Sequence, residues 1–283
     1  MKTKLFTVVL AVTFLIAGFG SPAFAGKKKI KIGYVEWACA TASSNTMKAV
    51  LQEKMGYDVE LLPVSAAAMW KALETGDIDA MTTAWLPVTH AHYLKKVGDS
   101  VENLGVNCKG AGIGLVVPKY VTIDSIAEMN ANADKFNNRI IGIDPGAGIM
   151  SKTEKAIADY NLDKFKLIDS SGAMMTATLG DKIKHKKWVA VTGWTPHWMF
   201  ARWNLKYLKD PRGIYGGAEH IATVVRKGLK KDMPEVYSLL DNFQWSLAEI
   251  GQQMGWNAEG ADPYDSAKKW INENPDRVKD WRK

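Results

Sequence analysis

Asp77-Ile78-Asp79-Ala80-Met81-Thr82-Thr83-Ala84-Trp85-Leu86-Pro87-Val88-Thr89-His90 reads as a short strand that runs into a large aromatic, then a proline, then a histidine. A later stretch has the same plan: Trp188-Val189-Ala190-Val191-Thr192-Gly193-Trp194-Thr195-Pro196-His197. Each puts Trp-x-Pro where a strand ends. Upstream of the two tryptophans, Ser65-Ala66-Ala67-Ala68-Met69 matches Ser171-Gly172-Ala173-Met174-Met175, and Ala72-Leu73 matches Thr178-Leu179. We read the chain as two structural repeats that each end in Trp-x-Pro.

Within each repeat, strand and helix patterns alternate. In the first, residues 29–35 alternate with period two, helical spacing follows from Thr46 toward Gly56, and Val59–Leu62, Ala67–Leu73 and Asp77–Thr83 read as strand, helix and strand. In the second, Arg139–Ile143, Lys152–Tyr160, Phe165–Ile168, Ala173–Leu179 and Trp188–Thr192 repeat the series. This alternation predicts α/β sheets with mostly parallel strands. Gly110–Val117 reads as a strand leading to Pro118, where the chain crosses from one lobe to the other. Past Asp210-Pro211 come a strand at Ala222–Arg226 and amphipathic helices over 233–243, 246–254 and 263–272, which return to the first lobe. The expected organisation is lobe 1 over 26–117 plus 212–283 and lobe 2 over 118–211, joined by two crossovers and separated by a cleft. The chain of 283 residues is long enough for two such cores.

Residues 1–25 read as a secretory leader, with Lys2 and Lys4 ahead of an apolar run from Leu5 to Gly18 and Ala23-Phe24-Ala25 as the cleavage site. The run is too short for a membrane span. We expect export to the periplasm. The formal net charge of +7 is spread along the chain, and Lys27-Lys28-Lys29 reads as a solvated tail, so nucleic acid is not an expected partner. Cys39 and Cys108 are the only cysteines. An oxidising compartment permits a disulfide between them, and the sequence leaves that open.

Ligands of open α/β sheets bind beyond the C-terminal ends of the strands. Trp85 and Trp194 lie at such ends, and so does Trp37 after the first strand. Indole faces attract a methylated cation that has no N–H to donate, at roughly 0.5–2 kcal/mol per ring. The proline after each ring stiffens its loop and lowers the ordering cost of binding. Asp144-Pro145-Gly146-Ala147-Gly148-Ile149-Met150-Ser151 follows a strand and opens a helix, so its backbone N–H groups can meet an anion. No Gly-Lys-Ser/Thr follows, which sets it apart from a Walker loop. His90 can add a donor; His92 and His197 are less well placed. No metal-ligand cluster accompanies His90 and His92, and no cofactor is expected.

A cation cage with a carboxylate clamp suits a trimethylammonium zwitterion. At this point Tyr34-Val35-Glu36-Trp37, Ala84-Trp85-Leu86-Pro87-Val88-Thr89-His90, Gly142-Ile143-Asp144-Pro145-Gly146-Ala147-Gly148-Ile149-Met150-Ser151 and Thr192-Gly193-Trp194-Thr195-Pro196-His197-Trp198 resemble the signature segments of glycine betaine-binding proteins of ABC importers. The four segments occur in order over nearly the whole chain after the leader. The resemblance implies a two-lobe periplasmic binding protein, a monomer that catalyses nothing, closes on glycine betaine or proline betaine and docks on a membrane permease for osmoprotection. It implies that Trp37, Trp85 and Trp194 cage the trimethylammonium head, and that His90 and the N–H groups of Gly148 and Ile149 hold the carboxylate. Ala38-Cys39-Ala40 departs from the acidic or polar residues often found after the first tryptophan, which bears on ligand preference. Three other readings stand beside it: a binding protein for choline, carnitine or a sulfonium analogue; a hydrolase using Cys39 with His90; and a Trp-lined sugar site, although these motifs are poor in Asp, Asn and Arg.

Overall fold

The first repeat folds as β1 (Lys29–Tyr34), α1 (Ala38–Ala49), β2 (Asp58–Pro63), α2 (Ala66–Thr75) and β3 (Ala80–Leu86) in a computed structural model that describes residues 28–283. The leader expected over residues 1–25 lies outside that range. β1 sits between its two parallel partners, Ile32 opposite Leu61 on one side and Ala80 on the other. Buried on both faces, β3 is apolar or hydroxyl-bearing along its whole length. Lys29 is not part of a free tail: it opens β1 and pairs with Glu60 at 2.8 Å.

The chain continues through α3 (Ala91–Val97) into the long strand β4 (Val101–Pro118). It then builds the second repeat from β5 (Arg139–Ile141), α4 (Gly148–Asp159), β6 (Lys166–Ile168), α5 (Gly172–Lys184) and β7 (Ala190–Thr195). Here too the first strand is central, with β6 and β7 parallel on its flanks. The matched serines have a local cause. Ser65 and Ser171 are the N-caps of α2 and α5, accepting from the backbone N–H of Ala68 and of Met174.

After α6 (Met199–Arg202) and β8 (Leu205–Tyr207), the chain returns through β9 (Glu219–Arg226). The strand order is β2-β1-β3-β9-β4-β7-β5-β6, with β8 added beside β4. Each repeat keeps its parallel core. The antiparallel pairs come from β9 and β4, the two strands that link the repeats, so the sheets are mixed. β4 belongs to both halves: residues 101–111 pair with β9 and residues 112–118 with β7 and β8. The change of partner therefore falls at Ala111–Gly112, ahead of Pro118. Bulges interrupt the β4–β9 ladder, the last between Lys109 and Ala111, and Gly110 between them has φ +80°.

The C-terminal helices are α7 (Leu229–Asp232), α8 (Pro234–Asn242), α9 (Leu247–Ala258), α10 (Pro263–Glu273) and α11 (Pro275–Trp281). They pack back on the first half, where the Thr46 hydroxyl of α1 donates to Gln253 Oε1 of α9 at 2.6 Å. Ser246 and Glu249 form a reciprocal capping box at the start of α9. Trp270 and Trp281 stack at 5.5 Å inside this helical layer, buried and structural.

Where β7 meets β4, Gly193 lies opposite Gly114. A Cβ on Gly193 would stand 2.4 Å from Val116 Cγ2 and 2.8 Å from Met199 Cε. Overpacking of this kind costs about 1–3 kcal/mol. Gly193→Ala is therefore expected to lower the thermal midpoint by several degrees in calorimetry. An unchanged midpoint would show that the β4–β7 seam has slack.

Candidate functional site

The six residues singled out in the sequence line one cavity between the two halves. Trp37, Trp85 and His90 come from the first repeat and its following turn; Gly148, Ile149 and Trp194 come from the second. Ile113 of β4, Ile143, Ala147 and Thr89 close the remaining wall. All three indoles are buried, and His90 is 0% exposed. The hollow they enclose is small, about 20 Å³.

The local fold explains how these groups arrive there. Trp37 is the N-cap of α1, and Ala147 is the N-cap of α4. These are equivalent strand-to-helix junctions in the two repeats. One contributes a ring, and the other contributes the first amides of a helix. Among the described residues no side chain caps α4, and the first amides of an α-helix have no intrahelical acceptor. Their partial positive charge is added to by the helix dipole. Gly148 has to be glycine: a Cβ there would stand 2.3 Å from the Thr89 carbonyl oxygen and 2.5 Å from Thr89 Cγ2. The two Trp-x-Pro turns share one geometry, since Leu86–Pro87 and Thr195–Pro196 are both cis.

His90 is a donor at the atom that matters. The backbone N–H of Trp85 donates to His90 Nδ1 at 3.1 Å. An imidazole that accepts at Nδ1 carries its proton on Nε2. That Nε2 is buried, and no described residue accepts from it. The Nε1 groups of Trp85 and Trp194 are likewise buried without a partner among the described residues, whereas Trp37 Nε1 donates to Asp144 Oδ2 at 3.0 Å. Burial holds His90 neutral, with its pKa pushed down to about 3. Trp70 meets the His90 ring edge-on at 5.9 Å and stacks on Tyr93 at 6.2 Å, so the imidazole is wedged between aromatics.

The turn before His90 is held from below. The Glu219 carboxylate accepts from the N–H of Val88 at 2.9 Å, the N–H of Thr89 at 2.6 Å and the Thr89 hydroxyl at 2.5 Å. Glu219, Trp70, Tyr93 and Asp144 were not picked out from the sequence. Glu219, Trp70 and Asp144 act through residues distant in the chain, where no spacing rule applies; Tyr93 lies at i+3 from His90, a spacing that places the two on one helical face.

The remaining histidines and the thiols do not line this cavity, although Cys39 and His197 lie against Trp194. His92 packs against Tyr93, and His197 is buried edge-on to Trp194 at 4.6 Å with its Nδ1 accepting from the Met199 N–H. Cys39 and Cys108 are free and buried. Burial pushes the Cys39 thiol up to about 12 and that of Cys108 to about 11. Both thiols are protonated at neutral pH, and Cys39 does not line the cavity that holds His90.

Burial also holds His197 near 3, like His90. From about pH 6.5 downward, the unfolded chain takes up protons at both histidines and the native state does not. Stability is therefore complete above that pH and is lost as pH falls toward 3. Urea midpoints at pH 7.5 and pH 5.5 test this, above the range where carboxylates titrate. The midpoint should drop; a flat profile would mean that the two rings can ionise in place.

Residues 28–273 match the family described as the substrate binding domain of the ABC-type glycine betaine transport system. The chain is 51% identical over 150 residues to the glycine betaine/carnitine transport binding protein GbuC of Listeria monocytogenes serotype 1/2a (strain 10403S), an alignment covering 52% of this chain. It spans about half the length of that relative, 50%. Among solved structures, lactococcal OpuAC in its closed-liganded conformation with glycine betaine superposes with a TM-score of 0.86 at 42% identity, over 91% of this chain and 100% of that one. The glycine/betaine/L-proline-binding protein ProX of Borrelia burgdorferi gives 0.87 at 40% identity, over 90% and 97%. These likenesses carry the two-lobe binding-protein fold. By the match over nearly its whole described length, the chain belongs to the family of substrate-binding domains of ABC-type glycine betaine transport systems.

Proposed function

We propose that this chain is exported by its leader to the periplasm, captures glycine betaine there, with proline betaine as a related ligand, and delivers it to a membrane permease for osmoprotection. One observation carries the reading: tryptophans from both repeats and a neutral His90, whose Nε2–H meets no acceptor among the described residues, line a single cavity. In this reading the trimethylammonium head lies against the faces of Trp37, Trp85 and Trp194. Its positive charge meets three electron-rich surfaces and no hydrogen bond is asked of it. The carboxylate takes the Nε2–H of His90 and the N–H groups of Gly148 and Ile149 at the start of α4. Every donor at that end is neutral, so a dipolar ligand is bound without burying a net charge, and hinge closure completes the site from two halves.

The cage accounts for a large part of the affinity. Trp194→Ala should weaken glycine betaine binding at least tenfold, about 1.4 kcal/mol, in isothermal titration calorimetry. Retention of the parent Kd would take Trp194 out of the cage.

The anion end separates the betaines from choline, which has the same head and no carboxylate. His90→Ala should therefore lower the affinity for glycine betaine by about tenfold or more and leave choline within about twofold. Titration of both ligands, followed by tryptophan fluorescence, reads the two outcomes together. An equal loss for both would mean that His90 supports the cage instead of gripping the carboxylate.

A further inference from the structure

Of the three cavity indoles, Trp37 alone donates its N–H to an oxygen of a described residue. Its acceptor is a carboxylate in the other half of the molecule: Trp37 caps α1, and Asp144 lies in the loop between β5 and α4, with Trp37 Nε1 3.0 Å from Asp144 Oδ2. The loop is firmly placed. Gly142 N–H donates to Ile168 O at 2.9 Å, Ser170 N–H donates to Ile143 O at 3.1 Å, and Ala147 N–H donates to the Asp144 carbonyl at 2.9 Å. Two further contacts from the first half land on the same loop. The Tyr93 hydroxyl donates to Gly146 O at 2.9 Å, and Thr89 packs where Gly148 leaves room for no Cβ.

We infer that Asp144 is the positioning residue for the cage, tying the Trp37 ring to the loop that presents the α4 amides. Two physical effects favour a carboxylate at this position. First, a charge-assisted hydrogen bond is stronger and more directional than one to a neutral acceptor, so the indole plane is held while the side chain is half-buried. Second, an N–H that donates to an anion leaves more electron density on its ring, and the face of that ring is what a methylated cation meets. Because the bond runs between the halves, it forms only when they meet. It therefore acts after capture, as a brake on release, and has no part in the first encounter. The inference rests on the proposed function above and adds a residue that does not line the cavity.

Stopped-flow tryptophan fluorescence with glycine betaine tests it on the full chain after leader removal. Asp144→Ala should raise the dissociation rate roughly tenfold and leave the association rate within about twofold. Asp144→Asn keeps an acceptor and loses the charge, so its dissociation rate should fall between those of the parent and Asp144→Ala. Tyr93→Phe removes the other hydrogen bond to the loop without touching a cage ring, and should raise dissociation by less than Asp144→Ala. A thermal midpoint within a few degrees of the parent for Asp144→Asn shows that the fold is intact. Unchanged dissociation rates for Asp144→Ala, or equal damage to association and dissociation, would overturn the positioning role. Failure of the parent protein to bind glycine betaine would instead overturn the functional reading, so the two failures are distinguishable.

Discussion

The hydrogen bond from the Trp85 amide to His90 Nδ1 decides the chemistry of the cavity. It selects the tautomer, and the tautomer makes the buried Nε2 edge of the ring a donor that no described residue accepts from. Desolvation keeps the ring uncharged, so it is a donor of unchanging character over the whole physiological range. The surroundings defend this state. Trp70 and Tyr93 hold the ring plane, and Glu219 pins the preceding turn through three donors. In the proposed reading the same residue pair, Trp85 and His90, serves both ends of the cavity: one residue offers a π face to a cation, and the other a proton to an anion.

Much of this was legible in the sequence, because the chain repeats itself. Ser65 and Ser171 match since both cap helices, and Trp85 and Trp194 match since both end strands beside the linking strands β9 and β4. Period-two and helical patterns gave the elements within each repeat, and the strand-end rule placed the three indoles. The six lining residues expected from the sequence came partly from that reasoning and partly from family resemblance, which chose Gly148 and Ile149 out of a glycine-rich turn. The structure supplies a local reason for Gly148 in the Thr89 carbonyl against it.

What was hidden is non-local. Asp144 reads as an ordinary turn residue, and its role depends on Trp37 reaching it across the cleft. Glu219 reads as the first polar residue of a strand; only the fold places it under Val88 and Thr89. The first part of β4, residues 101–109, went unrecognised because its bulges break the alternation that marks a strand. The antiparallel additions to each sheet were equally invisible, since pairing direction between distant segments leaves no mark on either one.

The long strand shared by both halves has a mechanical consequence. A hinge made of loose loops would let the lobes drift sideways as well as apart. Here β4 is bonded to β9 on one side of Ala111–Gly112 and to β7 on the other, with Gly110 next to the junction in a left-handed backbone conformation. Such a joint behaves like a leaf spring: it yields to bending and twist and resists slip. The jaws would then meet along the same path at every cycle, which brings rings and amides carried on opposite sides to one registration before any contact between them forms.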